Sequence, residues 1–256
     1  MSPHKYVPQK TSIYFMAYFL LIMIVSIKVA DKESSNSLFD YIVNLRMGGS
    51  ASIMTLVFGV LPILAILLPT MIDKYEQDIV VLRIKQKRKL LNRLFIFSIF
   101  LSAFFTVVMM MGGIVASWFI NGHIENFWPS KKGTVYFLIE NKDSFSQYIS
   151  YFENIRVWGS IISSRFLSVL FIATAVIFLK TVLKKNILVF FSAIIILGTD
   201  GILFNQFSLF LGKAKMNLDT WLDSEEQWFN FLYFILVITV FYLVSRKIYD
   251  KKEFYD

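Results

Sequence analysis

Asp200 is the residue of this chain whose type and setting most suggest chemistry, because it is a short carboxylate directly after the apolar run Ile187–Leu197. A charge at the centre of a bilayer costs about 2.5–3.5 kcal/mol on insertion scales, so an acid in that position needs a reason. Two reasons fit. Asp200 either lies just past the outer end of a span and caps the next segment, or it is a buried acid that pairs with Arg165 or contacts a cargo. Arg165, Lys28 and Lys180 lie near the ends of other apolar runs, where a long side chain can snorkel to water. A second charged group is more ordered in sequence. In DKYEQDIVVLRIKQKRKLLNR the acids Asp73, Glu76 and Asp78 come first, and Arg83, Lys87, Arg88 and Arg93 come after them. Acid-to-base polarity complements a helix dipole, each well-placed charge contributing about 0.3–1 kcal/mol. Val80, Ile84 and Leu91 fall on one stripe, with Arg83 and Lys87 as an i,i+4 cationic pair beside it. The pattern predicts a helix over 73–93 that serves either as a topological marker or as a docking element.

Other reaction chemistries find no constellation. The only histidines are His4 and His123, and there is no cysteine, so thiolate metal sites, disulfides and Cys nucleophiles are excluded. Neither HExxH nor GxSxG occurs, and Gly212-Lys213 lacks both the upstream glycine and the hydroxyl residue of a phosphate-binding loop. No metal site and no catalytic residue is expected, and nothing in the chain would bind ATP unaided.

The elements that must position these residues are apolar helices. The chain is 56% hydrophobic and only 17% charged, with 27 phenylalanines. A soluble domain averages roughly 45–50% apolar and about 25% charged, so this composition predicts an all-α polytopic membrane protein. A formal charge of +8 could suggest nucleic acid, but the basic residues lie in short clusters between apolar runs, which favours a topological role. At about 20 residues per crossing, six spans are expected at 12–30, 51–72, 94–119, 160–183, 186–205 and 229–245. The polar opening MSPHKYVPQKTS and the long run after it read as a retained first span rather than a cleaved signal.

Lys and Arg gather before span one, between spans two and three, around Lys180–Lys185 and after span six, which predicts that both termini are cytoplasmic. All the tryptophans (Trp118, Trp128, Trp158, Trp221 and Trp228) fall at or beyond the outer ends of spans, at the headgroup level that indole prefers. Pro62 and Pro69 predict kinks in span two, and Met109–Gly113 a packing seam in span three. The segment 121–157 is too long for a turn and too apolar for disorder. With a β-favourable run at Thr134–Ile139 and an amphipathic stretch at Ser144–Ile155, it predicts a small extracellular cap, or a gate over an exit path. The stretch around 202–211 reads as a re-entrant or interfacial helix, or as an extension of span five.

Six spans with both ends inside, a charged cytoplasmic helix after span two and a broken apolar segment before span six resemble the permease subunits of ABC-2-type transporters. DKYEQDIVVLRIKQKRKLLNRLFIF is similar to the corresponding segment of small permeases from Gram-positive bacteria, including peptide-export and antimicrobial-peptide-immunity systems. Larger members often carry Glu-x-x-x-Gly there, whereas this chain has Glu76 followed by Val80. The resemblance implies a cell-membrane permease without a cofactor of its own. ATP and Mg would act on a separate cytoplasmic ATPase dimer, which would push on Asp73, Glu76, Asp78, Arg83, Lys87 and Arg88. A second permease protomer, identical or related, would complete the path for a hydrophobic or peptide cargo, with membrane lipids around it. Two other classes stay open: a non-transporting immunity or structural membrane protein that binds a toxin or lipid, and an ion-coupled carrier using Asp200.

Overall fold

The computed structural model describes residues 9–33, 35–76, 87–200 and 208–251, and among them there is no strand. The helices in order are α1 (Gln9–Lys32), α2 (Leu38–Ile42), α3 (Leu61–Tyr75), α4 (Lys87–Asn121), α5 (Thr134–Leu138), α6 (Phe145–Tyr148), α7 (Asn154–Val182), α8 (Asn186–Ala193), α9 (Leu211–Ala214), α10 (Leu218–Leu222) and α11 (Ser224–Lys251). The π-helical turns Thr55–Val60 and Ile194–Gly198 lead into α3 and extend α8.

Five stretches are long and apolar enough to cross a membrane: Thr11–Lys32, Thr55–Tyr75, Lys89–Asn121, Asn154–Val182 and Ser224–Lys251. They overlie five of the expected spans, with ends displaced by a few residues. Of the segment expected at 186–205, the described part holds an apolar helix at Asn186–Gly198, and 201–205 lie outside the described residues. At 1.5 Å per residue this helix covers about 20 Å of the roughly 30 Å of a hydrocarbon core. Its π turn ends at Gly198.

The core runs along α7, where 72% of the apolar window is buried, against 28% in α1 and 22% in α11. Small residues on α7 (Ser164, Ser168, Ala173 and Ala175) are buried and let neighbouring helices approach closely. Phe171 stacks on Phe210 at 5.4 Å and meets Phe234 edge-on at 5.3 Å, while Phe178 stacks on Phe241 at 5.1 Å. The outward faces keep large apolar residues exposed, such as Phe100, Phe104 and Val107 on α4 and Leu232, Leu236 and Leu243 on α11. Such rows are costly in water and suit a lipid solvent.

Several hydroxyls inside this apolar frame are satisfied by their own helix. On α4 the hydroxyls of Ser98, Ser102 and Thr106 donate to the carbonyls of Leu94, Ser98 and Ser102, four residues back, at 3.0, 2.7 and 2.8 Å. The stripe therefore leaves no unmet donor at the helix interface. Pro62 cannot donate to the Phe58 carbonyl, and the Tyr18 hydroxyl of α1 donates to it instead at 2.7 Å. Gly112 and Gly113 bring α4 against Met23, Ile42 and Ser50, so the Met109–Gly113 seam packs on α1 and on the segment after α2.

At one end of the bundle the connections fold into a layer. The Trp128 ring packs against Trp221 at 5.6 Å, Phe39 at 5.4 Å and Phe152 at 6.0 Å. Trp128 and Trp221 are fully buried, whereas Trp118 and Trp228 remain exposed. Two of the indoles expected at the headgroup level are thus the core of this layer: several aromatic segments converge here and bury one another. The β-favourable run at 134–139 is a single helical turn, Thr134–Leu138. It has no strand partner among the described residues, and its buried Thr134 and Val135 pack inward.

Residues 43–54 cross this layer as largely irregular backbone, made possible by Gly48 (φ 88°) and Gly49 (φ 103°). The Gly49 N–H donates to the Ser26 carbonyl at 3.0 Å, the Ser26 hydroxyl returns a bond to the Gly49 carbonyl at 2.8 Å, and Ser50 Oγ donates to the Met109 carbonyl at 2.6 Å. A Cβ at Gly49 would lie 2.6 Å from the Ile42 carbonyl oxygen, while one at Gly122 (φ 75°) meets nothing within 4 Å. Gly49→Ala is therefore expected to cost about 2 kcal/mol or more, and Gly122→Ala only about 1 kcal/mol, the backbone cost alone. Thermal unfolding in detergent checks the order of the two.

Candidate functional site

The residues singled out in sequence fall into two groups, at opposite ends of the bundle. Asp73 is in the last turn of α3, where its Oδ1 lies 2.6 Å from Lys180 Nζ on α7. Lys180 also donates to the Lys184 carbonyl at 2.9 Å and to Asn186 Oδ1 at 2.6 Å, and Asn186 Nδ2 donates to Asp73 Oδ2 at 2.6 Å. These bonds close a ring of charge and amide across the turn between α7 and α8. The Lys180 side chain is only 5% exposed against 45% for Asp73, so the lysine does not snorkel outward; it turns into the protein and meets a carboxylate there. Next to this ring, Glu76 pairs with the Tyr249 hydroxyl of α11. Asp78 and Arg83 lie outside the described residues, and Lys87 and Arg88 open α4. The expected helix over 73–93 is represented there by its two ends, the last turn of α3 and the first turns of α4.

At the layered end, Arg165 and Asp200 act on the same small helix. The Asp200 carboxylate accepts from Ser208 Oγ at 2.6 Å and from the N–H groups of Leu209, Phe210 and Leu211 at 2.8, 2.8 and 2.9 Å. Arg165 Nη1 donates to the Ala214 carbonyl at 2.7 Å. An anion thus sits at the N-terminus of α9 and a cation at its C-terminus, the arrangement that orphan backbone groups favour. Among the described residues Arg165 meets no carboxylate, and its Nε has no partner. The two charges do not pair: Asp200 caps the segment that follows, one of its two expected roles, Arg165 closes the other end of the same turn, and the backbone they hold places the Phe210 ring on Phe171.

A third ionisable group was not singled out in sequence. Asp40 on α2 is fully buried, its Oδ1 accepting from Trp128 Nε1 at 2.8 Å. Its Oδ2 accepts from Thr134 Oγ1 at 2.6 Å and from the N–H groups of Ser37 and Asn36 at 3.0 and 3.2 Å. Burial raises its pKa, and the four donors oppose that rise in part. The adjacent Tyr41 hydroxyl donates to Asp31 at 3.1 Å and to Asn121 Oδ1 at 3.0 Å; burial, with help from Asp31, raises its pKa as well. Asp40 fixes the indole around which the aromatic layer packs. The one sequence signal for it is Ser37 followed three residues later by an acid, a helix-start pattern.

Between 43–54 and 208–217 lies a cavity of about 510 Å³ with Arg165 in its wall. Among the described residues no group of three or more His, Cys, Asp or Glu side chains could hold a metal ion. Asp40 and Asp200 bind only backbone N–H groups and neutral side-chain donors, Arg165 binds a backbone carbonyl, and the buried Lys180 pairs with Asp73, so each serves as a fixed strut.

Removing one member of the Lys180 ring tests its weight. Asp73→Asn is expected to destabilise the protein by about 1–3 kcal/mol, the lower end reflecting the exposure of the carboxylate. Adding Lys180→Met should recover part of that loss, since no buried ammonium then lacks its counterion; unfolding midpoints of the two single variants and the double variant give the coupling. In comparisons with known proteins the chain matches no family model, no curated protein and no solved structure.

Proposed function

We propose that this chain is the membrane-spanning subunit of an ABC-2-type exporter in the cell membrane, moving a hydrophobic or amphipathic molecule such as a peptide. In this reading Asn186–Gly198 and the chain directly after it make a sixth crossing. Both termini are cytoplasmic, and the aromatic layer is an extracellular cap. A separate ATPase dimer supplies ATP hydrolysis with Mg, and a second permease protomer completes the path.

The observation that carries the reading is the bonding at the base of the charged segment. Asp73 is tied to Lys180 and Asn186, and Glu76 to Tyr249. A displacement applied to the segment between α3 and α4 is thereby transmitted to α7, α8 and α11 together. A partner can drive that displacement only if it binds the two permease conformations with different affinity. The large apolar faces of α4 and α11 suit lipids or a second protomer.

A second reading is a non-transporting immunity or structural protein that binds a toxin or lipid from outside. It is favoured by the extent of the layered end, whose buried Asp40 and indole core exceed what a simple connection needs. An ion-coupled carrier gains less support, because the Asp200 carboxylate is occupied by four donors of its own chain.

Extraction in mild detergent followed by affinity purification tests the first reading. An ATPase should co-purify with the tagged chain, and the double variant Arg83→Glu/Arg88→Glu should lose it at least tenfold while inserting normally. Retention of no ATPase by the unmodified chain, or unchanged retention by the variant, contradicts an ATPase-driven permease.

A further inference from the structure

The cavity of about 510 Å³ between 43–54 and 208–217 has an uneven charge. Its walls carry three cations, Arg46, Arg165 and Lys215, and no carboxylate. Arg46 is shared with Glu33 across 3.8 Å, a long and exposed contact. Lys215 is exposed at the rim and has no ion pair among the described residues. Arg165 is completely buried, bound to one backbone carbonyl and with Nε unpartnered. A guanidinium withdrawn from water without a counterion is costly, and in low dielectric its field reaches several ångströms. The nearby carboxylate of Asp200 is turned to Ser208–Leu211 and spends its lone pairs there. The remainder of the lining is largely apolar, including Met54, Phe58 and Leu211.

We propose that this cavity binds the phosphate headgroup of an anionic lipid. Lys215 and Arg46 contact the phosphate at the rim, the buried Arg165 supplies the field behind them, and the acyl portion lies along Met54, Phe58 and Leu211. The chemistry recognised is a phosphate anion joined to an apolar chain: the cations select the sign of the head, and the apolar wall selects the tail. The site does not depend on the transport reading, since an immunity protein or a carrier would bind the same headgroup.

The test uses the full chain in a neutral detergent, with unfolding midpoints and native mass spectrometry as readouts. Short-chain phosphatidylglycerol is compared with phosphatidylcholine of equal chain length and with inorganic phosphate. Phosphatidylglycerol should raise the midpoint and be retained at one per chain, and neither phosphatidylcholine nor inorganic phosphate should match it. Lys215→Glu, at an exposed position that leaves the fold intact, should weaken phosphatidylglycerol at least fivefold, and Arg165→Gln at least as much. Lys142→Glu, on a different part of the surface, should leave the affinity for phosphatidylglycerol unchanged. Equal binding of phosphatidylcholine would overturn the charge selection, and equal protection by inorganic phosphate would overturn the lipid as its source. An undiminished affinity in Lys215→Glu, or an equal loss in Lys142→Glu, would overturn the location.

Discussion

A backbone N–H or carbonyl withdrawn from water must find a partner, and at the layered end of this protein many of those partners are side chains. The long helices satisfy their own backbone, as any segment in an apolar solvent must. The chain between them cannot, because 43–54 and 208–217 are largely irregular yet partly buried. Asp200 therefore takes three consecutive N–H groups, Arg165 takes a carbonyl, Asp40 takes two N–H groups and an indole, and Ser26 and Ser50 take carbonyls. Leaving one such group unmet would cost about 1–3 kcal/mol, so each of these side chains holds a definite piece of fold. The aromatic layer and the cavity beneath it depend on those attachments.

The opposite end is built differently. There the contacts run from helix to helix: Asp73 with Lys180 and Asn186, Glu76 with Tyr249, and Tyr242 Oη with Asn92 Oδ1 at 2.7 Å. One end is a folded layer whose irregular backbone is held by buried ions, and the other a set of side-chain ties between helices, with Lys180 and Tyr249 buried among them. The π turns Thr55–Val60 and Ile194–Gly198 pack against each other between the two ends. Such turns are thermodynamically loose points in a helix, and they often mark functional positions.

The long helices were legible because apolar runs of about 20 residues have few alternatives, and a displaced boundary costs little. Asn186–Gly198 was harder. Its apolar run continues past residue 200, and composition does not report the bonds by which Asp200 holds Ser208–Leu211. The tryptophans misled in part because indole suits both a headgroup layer and an aromatic core, and only packing separates Trp128 from Trp118. Lys180 read as a snorkelling residue because its counterion Asp73 lies far away in sequence, on α3. Asp40 carried no signal beyond a helix-start pattern, since its donors Trp128 and Thr134 come from a distant connection. Arg165 and Asp200 were visible as unusual residues, but their shared task of holding α9 could be seen only in three dimensions.

Amide hydrogen exchange in lipid nanodiscs measures the satisfaction of backbone groups at the layered end most directly. The segments 36–52 and 208–217 should exchange slowly, at rates near those of the interior of α7, and Asp200→Ala should release Leu209, Phe210 and Leu211 selectively. Fast exchange of both segments in the unmodified protein, at the rate of an unprotected loop, would contradict a layer held by buried side chains.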